Sequence, residues 1–285
     1  MLQLPAPAGG ELMARKSLAM LCLLLWMIQL AACSPDQLAQ QPSMSGTEAN
    51  QASAPEAISD EWQTIGPSME LRKLLLSADG NAAQATVLRF DPQSYKVSVK
   101  YDVMNPGSVR EWFNALKPVA VINGGYFDDK GRPTALVIFD GIRRGESYTG
   151  FGGMIAINEQ EQVELRSLRQ QPYDPAEPLR QAMQSAPMLI QPGGELSQLD
   201  PDEDRSRRSV IARDRQGRIL LIACSTPSLT LPALASALHQ SDLDLDAALN
   251  LDGGRSTGLY VQTAEAKVAI DSIEKLPLVL VVEQL

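Results

Sequence analysis

The segment SVIARDRQGRILLIAC at residues 209–224 is the most informative stretch for the fold. Two apolar runs, at 209–212 and 219–224, lie on either side of a polar segment, 214–217, that ends in glycine. Short apolar runs that flank a polar, glycine-containing turn are typical of a β-hairpin. We therefore predict a domain built mainly from strands.

Other parts of the chain repeat this pattern. Two further pairs of short runs flank polar turns and predict hairpins, and three isolated apolar runs predict single strands. The predicted hairpins pair 85–90 with 95–101 and 154–158 with 162–165, and the predicted single strands are 119–122, 247–251 and 276–282.

Helix signals are few. Ser108 is a capping residue ahead of a helix predicted at 108–116, Pro232 lies in the first turn of one predicted at 231–238, and 178–183 begins like a third. Because few strands are followed by long helices, a doubly wound parallel sheet does not fit. We predict the α+β class, with a large mixed β-sheet built from hairpins and a few short packed helices.

Residues 1–32 have the pattern of a secretory signal peptide. Arg15 and Lys16 precede an apolar run of about a dozen residues, and small residues follow it. The run is shorter than the roughly 20 residues that a membrane-spanning helix needs. We expect this segment to be removed, with Met13 as the true start of the precursor.

The end of this segment, Leu30-Ala-Ala-Cys33, resembles the lipobox of bacterial lipoproteins. The resemblance implies a lipid on the Cys33 thiol, cleavage before this residue and acylation of its new amino group. Ser34 follows the cysteine, which implies sorting to the outer membrane. We expect a protein of the cell envelope that is lipid-anchored at the outer membrane and faces the periplasm.

Composition divides the rest of the chain and excludes some partners. Residues 33–61 are rich in Ser, Pro, Ala, Gln and Glu, which predicts a disordered tether after the lipidated cysteine. Residues 62–285 suit one domain. With a formal net charge of -9, the chain is a poor nucleic-acid binder, and the lipid must supply the membrane attachment.

Cysteine and histidine content excludes several kinds of site. Of 3 cysteines, Cys22 is lost with the signal peptide and Cys33 takes the lipid, so the domain has no disulfide. Cys224 lies in an apolar run and is interpreted as a buried thiol, not a nucleophile. A single histidine, His239, excludes a multi-histidine zinc site, and we interpret it as a surface or helix-end residue.

Two glycine-rich segments follow predicted strands. In the first, Asn123-Gly-Gly-Tyr-Phe-Asp128, the glycine amides and the Asn123 side chain suit an anion-binding nest, although an ordinary strand exit has the same pattern. In the second, Asn250-Leu-Asp252-Gly-Gly-Arg-Ser256, Asn250 and Asp252 share one face because side chains alternate along a strand. This second segment is the most site-like stretch of the sequence.

A cluster of three arginines precedes the hairpin at 209–224. Arg208 is adjacent to a buried strand, so its guanidinium is predicted to be held rigidly, in the two-point geometry that binds phosphate or carboxylate. We interpret Arg205 and Arg207 as a solvated basic turn that balances nearby acidic residues.

Four motifs occur in an order and rough spacing that resemble the phosphodiester glycosidase family, over about residues 62–285. They are Asn123-Gly-Gly-Tyr-Phe127, Ser185-Ala-Pro-Met-Leu189, Arg208-Ser-Val-Ile-Ala212 and Asn250-Leu-Asp-Gly-Gly-Arg-Ser256. The chain departs from the family at Ala212, where glycine is common, and at Arg255, where a small residue is common.

The resemblance implies cleavage of a sugar C1–O bond whose leaving group is a phosphate diester. Such a reaction needs a carboxylate and contacts to the phosphate. Asp252 is carried over as the leading carboxylate and Arg208 as the phosphate clamp, with Asn250 beside them. The residues expected to bind substrate are Asn123, Gly124, Gly125, Asp128, Ser209, Gly253, Gly254 and Ser256.

We therefore expect a hydrolase that acts on sugar 1-phosphodiesters in envelope or extracellular glycans, with a phosphate-linked carbohydrate as its substrate. The alternatives are a non-catalytic glycan- or phosphate-binding envelope lipoprotein and a structural envelope partner. The sequence establishes no cofactor, but Asp252 and Asn250 at one strand end would suit a calcium or magnesium ion.

Overall fold

A computed structural model describes residues 59–285, which contain two helices and eighteen strands. The helices are α1 (Val109–Leu116) and α2 (Leu231–His239). The strands are β1 (Gln63–Gly66), β2 (Met69–Ala78), β3 (Asn81–Phe90), β4 (Tyr95–Tyr101), β5 (Ala120–Asn123), β6 (Val137–Phe139), β7 (Ile142–Arg144), β8 (Gly153–Asn158), β9 (Val163–Ser167), β10 (Leu179–Ser185), β11 (Met188–Gln191), β12 (Glu195–Leu196), β13 (Ser206–Asp214), β14 (Ile219–Leu229), β15 (Leu245–Asn250), β16 (Leu259–Gln262), β17 (Lys267–Ile270) and β18 (Leu278–Gln284).

The strands form three sheets. Sheet I has the order β1-β2-β3-β14-β13-β15-β11-β12, sheet II has the order β7-β6-β10-β8-β9, and sheet III has the order β17-β16-β5-β18-β4. A sheet-based fold with a large sheet and a few short helices is confirmed. The sheets are antiparallel and not mixed, because every strand pairing within residues 59–285 is antiparallel. Most connections are short turns, whereas a parallel pair needs a crossover of about a dozen or more residues.

Local signals placed several elements correctly. The hairpin at 209–224 is β13–β14, closed by Asp214, whose carboxylate accepts the Gln216 and Arg218 amides. The hairpin β8–β9 is also present. Helix α1 is capped by Ser108, whose hydroxyl accepts the Glu111 amide while the Glu111 carboxylate accepts the Ser108 amide.

Two predictions of local structure are wrong. The segments 85–90 and 95–101 are strands, but they do not pair: β3 lies between β2 and β14 in sheet I, and β4 pairs with β18 in sheet III. A helix was predicted to start at 178–183, but residues 179–183 belong to strand β10, because pairing with β6 and β8 outweighs the local helix signal.

All three sheets contribute to one apolar core. Phe90 of sheet I, Ile155 of sheet II and Ile122 of sheet III belong to a single buried cluster. On the other side of sheet I, α2 packs against β2, β11 and β12. Its Leu234 belongs to a second buried cluster, together with Val210 of β13 and Ile222 of β14. Burying one large apolar side chain contributes about 1.5–3 kcal/mol, so this shared core holds the sheet edges in fixed positions.

The cysteine and histidine interpretations are confirmed. Cys224 is fully buried within the cluster beneath α2, and burial raises the pKa of its thiol to about 12, so it is neutral and unreactive near neutral pH. His239 is exposed at the last position of α2.

The predicted signal peptide, Cys33 and the tether up to residue 58 lie outside the described residues. Within 59–285, neither helix has the length and apolar character needed to cross a bilayer.

The site-bearing motifs meet because of strand pairing. In sheet I, Asn250 at the end of β15 lies opposite Val210 of β13, and Leu249 lies opposite Met188 of β11. In sheet III, Asn123 ends β5 opposite Val279 of β18. The loops that leave β5 and β15 and those that enter β11 and β13 therefore converge at one edge of the core.

Candidate active site

Asp252 lies at the centre of this convergence, two residues beyond β15. Its amide donates to the Gly124 carbonyl at 3.1 Å, its carbonyl accepts the Asn123 side-chain amide at 2.7 Å, and its Oδ1 accepts the Gly253 amide at 2.9 Å. The side chain lines a cleft of about 880 Å³. The loop after β5 thus fixes the backbone of Asp252, while its carboxyl faces the cleft.

Burial gives this carboxyl unusual acid–base properties. Desolvation raises the pKa of Asp252 to about 6, and the charge of Glu274 acts in the same direction. Contacts from the Ser256 hydroxyl and the Gly253 amide favour the charged form and lower the pKa. A carboxyl with this pKa in a cleft exchanges a proton near neutral pH, as acid–base catalysis requires.

Asn123 and Ser209 lie beneath the Asp252 loop, not on the cleft wall. Both are buried, and the Ser209 hydroxyl donates to Asn123 Oδ1 at 2.6 Å. The Gly258 amide donates to the same oxygen at 3.1 Å. With its amide nitrogen bonded to the Asp252 carbonyl, Asn123 has its side chain fully engaged. In this arrangement both residues position the loop, and the expectation that they bind substrate stays a prediction.

Gly124 and Gly125 do not form the predicted anion nest. Their amides donate to the Leu278 carbonyl at 3.0 Å and to Met183 Sδ at 3.1 Å. A Cβ at Gly124 would lie 2.6 Å from Leu278 Cγ, and one at Gly125 would lie 2.7 Å from the Gln184 carbonyl oxygen. These glycines are therefore required by close packing between the sheets.

The segment after Asp252 is a tight turn against β13. The Gly254 amide donates to the Arg207 carbonyl at 2.8 Å, and Gly254 has a φ of 58°, which favours glycine. A Cβ at Gly253 would lie 2.9 Å from the same carbonyl. Ser256 is buried next to this turn and lines the cleft, in contact with Asp252.

Asn250 forms a hydrogen-bonded group with Tyr126, a residue that sequence reasoning did not select. The Asn250 side-chain amide donates to the Tyr126 hydroxyl at 2.8 Å and to the Ala186 carbonyl at 3.0 Å. Burial raises the pKa of Tyr126 to about 12, so its hydroxyl stays protonated and donates to Ala186. Tyr126 lines the cleft. The sequence feature that could have identified it is its place directly after the two glycines of the first motif.

Arg208, the predicted phosphate clamp, is held through Nε and Nη2 by groups outside the cleft. It is buried, its Nη2 donates to the Asp204 carbonyl at 2.6 Å and its Nε donates to the Leu229 carbonyl at 3.3 Å. The carboxylates of Asp202 and Asp204 lie 3.8 and 3.5 Å from Nη2. This guanidinium holds the segment before β13 in place, and it does not line the cleft.

Asp128 lies on the cleft wall, but its carboxylate is occupied by hydrogen bonds within a turn. Its carboxylate accepts the Lys130 and Arg132 amides at 2.9 Å and the Arg132 guanidinium at 2.8 Å. This hydrogen bonding from Arg132 lowers the pKa of Asp128, which therefore stays ionised. Asp128 shapes the turn that presents Lys130 to the cleft.

A second segment, residues 271–277, forms the facing part of the cleft and was not predicted from the sequence. The Ile273 and Glu274 amides donate to the Arg255 carbonyl at 2.8 and 3.2 Å. This pairing brings Glu274 and Lys275 to the same cleft as Asp252.

Few side chains that could bind a metal ion lie close together in the described residues. Among the residues described, no three or more His, Cys, Asp or Glu side chains are grouped so as to hold an ion. The expected calcium or magnesium site near Asp252 and Asn250 therefore has no cluster of acidic side chains to support it.

Comparison with known proteins identifies the family. The sequence matches the phosphodiester glycosidase family over residues 117–282, more than half of the chain. This chain belongs to the phosphodiester glycosidase family. No curated protein matches the sequence. The family resemblance predicted from the four motifs is thus confirmed, whereas the catalytic roles of Asp252, Arg208 and Asn250 stay predictions.

Two solved structures share the fold of this phosphodiester glycosidase chain. The catalytic domain of zebrafish N-acetylglucosamine-1-phosphodiester alpha-N-acetylglucosaminidase, auto-inhibited by its pro-peptide, has a TM-score of 0.62 at 17% identity over 81% of this chain and 87% of that one. A hypothetical protein from Synechocystis has a TM-score of 0.57 at 15% identity over 75% of this chain and 62% of that one. At these identities the likeness is one of fold.

Proposed function

We propose that this chain hydrolyses the glycosidic bond of sugar 1-phosphodiesters in envelope or extracellular glycans. Family membership supports a carbohydrate substrate linked to phosphate. The observation that carries the proposal is Asp252: a half-buried carboxyl with a pKa of about 6, held by a rigid loop in an open cleft. Acid–base catalysis at neutral pH needs a group with these properties.

The leaving group determines the role of Asp252. A phosphate diester departs as a stable anion, so it needs little protonation. A carboxyl group in this site therefore contributes more to the rate by activating the attacking water than by protonating the leaving group. Asp252 is mostly ionised at pH 7 but more basic than an ordinary aspartate, which suits a general base.

In the proposed reaction, water attacks the sugar C1 while Asp252 takes one of its protons. The C1–O bond breaks, and its electron pair goes to the phosphate oxygen, which leaves as part of a phosphate monoester. Ser256 and Tyr126 line the same cleft. Ser256 offers its hydroxyl to the sugar, whereas the Tyr126 hydroxyl already donates to Ala186, so its oxygen can only accept. Asn250 keeps the Tyr126 hydroxyl oriented through the 2.8 Å hydrogen bond.

The test is hydrolysis of UDP-N-acetylglucosamine and of nitrophenyl-phosphate glycosides by the full-length chain, beside Asp252→Asn and with and without EDTA. Release of free sugar by the wild type alone would support the proposal, and inhibition by EDTA would add a metal. No release from any of these substrates would favour the alternative, a non-catalytic glycan- or phosphate-binding lipoprotein.

We also propose that a lipid on Cys33 holds the domain at the outer membrane, facing the periplasm, with the following segment as a tether. The support is the sequence Leu30-Ala-Ala-Cys33 and Ser34 after it. Replacement of Cys33 by alanine should leave the precursor uncleaved and free of acyl chains. Normal acylation of that variant would contradict the proposal.

A further inference from the structure

The proposed substrate carries a negative phosphate, and the guanidinium expected to bind it is tied to the segment before β13. Arg208 donates through Nε and Nη2 to two backbone carbonyls and lies within 4 Å of two carboxylates. It does not line the cleft. A cation on the cleft wall is therefore better placed to meet the phosphate.

The cleft offers three other cationic side chains. Lys130, Arg255 and Lys275 all line it. Lys275 forms an ion pair with Glu111. Across residues 59–285, neither Arg255 nor Lys130 takes part in an ion pair with a carboxylate. These two side chains are exposed and have their charges available.

Arg255 is the better placed of the two. It is three residues after Asp252 in the same tight turn. The geometry of that turn therefore fixes the position of the Arg255 backbone relative to the Asp252 backbone. Its carbonyl accepts the Ile273 and Glu274 amides, which anchors its backbone between the two walls of the cleft. A guanidinium also binds phosphate oxygens in two-point fashion, which an ammonium does not.

The cleft also carries carboxylates. Asp128, Asp129, Asp252 and Glu274 line it. An anion must therefore be held by direct contact with a cationic side chain, because the cleft as a whole is not positive.

We propose that Arg255, assisted by Lys130, forms the phosphate subsite of the cleft and binds the phosphodiester next to the sugar whose C1 faces Asp252. This inference rests on the proposed function and names the part of the site that recognises the anion. Arg208 is then a positioning residue, which holds the segment at 202–204 against the entry to β13.

The experiment measures binding of UDP-N-acetylglucosamine by calorimetry in the full-length Asp252→Asn chain, which removes turnover. Adding Arg255→Gln should weaken the affinity about 10- to 100-fold, the range for loss of a charge-assisted hydrogen bond. Arg255→Lys should restore part of the affinity. The melting temperature should not change, because Arg255 is exposed.

The matched control is Arg215→Gln, which removes an exposed arginine from the β13–β14 turn at the far end of the hairpin. It should leave affinity unchanged. By contrast, Arg208→Gln should lower the melting temperature. The phosphate subsite would be overturned if adding Arg255→Gln left the affinity unchanged. It would also be overturned if the Asp252→Asn chain did not bind the nucleotide sugar at all.

This design separates the two proposals. Hydrolysis by the wild type together with unaltered binding by Arg255→Gln would leave the hydrolase proposal standing and reject the subsite. Binding that depends on Arg255 without hydrolysis by the wild type would retain the subsite and reject the hydrolase.

Discussion

Replacing Asp252 with asparagine should abolish hydrolysis and, unusually for a buried polar residue, should stabilise the fold at neutral pH. The pKa of Asp252 is raised from 3.8 to about 6, so the folded state resists an ionisation that the unfolded chain accepts. This cost is absent at low pH, where both states are protonated, and complete above pH 6. A tenfold change in the ionisation equilibrium corresponds to about 1.4 kcal/mol, which gives a cost of about 3 kcal/mol at pH 7.5.

Asparagine avoids that cost while keeping an oxygen to accept the Gly253 amide. Urea unfolding of both proteins should therefore show an advantage of about 1 kcal/mol for Asp252→Asn at pH 4.5 and about 3 kcal/mol at pH 7.5. Asp129→Asn, at an exposed position on the same cleft, is the control and should show little difference at either pH.

Two results would refute this reasoning. If Asp252→Asn hydrolysed UDP-N-acetylglucosamine at the wild-type rate, the carboxyl would not be the base. If the variant were less stable than the wild type by the same amount at both values of pH, Asp252 would be a structural residue without a raised pKa.

Three other measurements test the same contacts. If the wild type hydrolyses the substrate, kcat/KM should rise with pH through about 6, because only ionised Asp252 accepts a proton; a profile that falls over that range would contradict the assigned role. Asn123→Ala should lower the free energy of unfolding by about 3 kcal/mol, because it leaves the Ser209 hydroxyl and the Gly258 amide without acceptors. Gly124→Ala should cost about 1–3 kcal/mol through its clash with Leu278, measured by urea unfolding.

The sequence predicted correctly those parts of the fold that are determined by contacts between residues close in the chain. The hairpin β13–β14 is set by the Asp214 turn, and α1 by the Ser108–Glu111 cap. The partner of β3 also had a local signal: Asp79 and Gly80 both have positive φ in the turn that joins it to β2. The partner of β4 had none, because β18 is the last strand of the chain.

The location of the candidate site was predictable, but the roles of its residues were not. The four motifs do converge, and Asp252 does face a cleft. Whether a side chain reaches that cleft depends on contacts that the motifs do not show: Arg208 donates to the Asp204 and Leu229 carbonyls, whereas Arg255 is exposed. Glu274 enters the site only because its segment pairs with the Arg255 carbonyl.

The two glycine-rich motifs therefore depend on each other. Gly124 fits against Leu278 only without a side chain, and that close approach lets its carbonyl accept the Asp252 amide. Asn123, the last residue of β5, adds a second bond by donating to the Asp252 carbonyl. The end of β5 in sheet III thus holds the loop that follows β15 in sheet I, and this support offsets the cost of partly burying a carboxyl. Most motif residues contribute rigidity, and the chemistry is left to the few side chains that face the cleft.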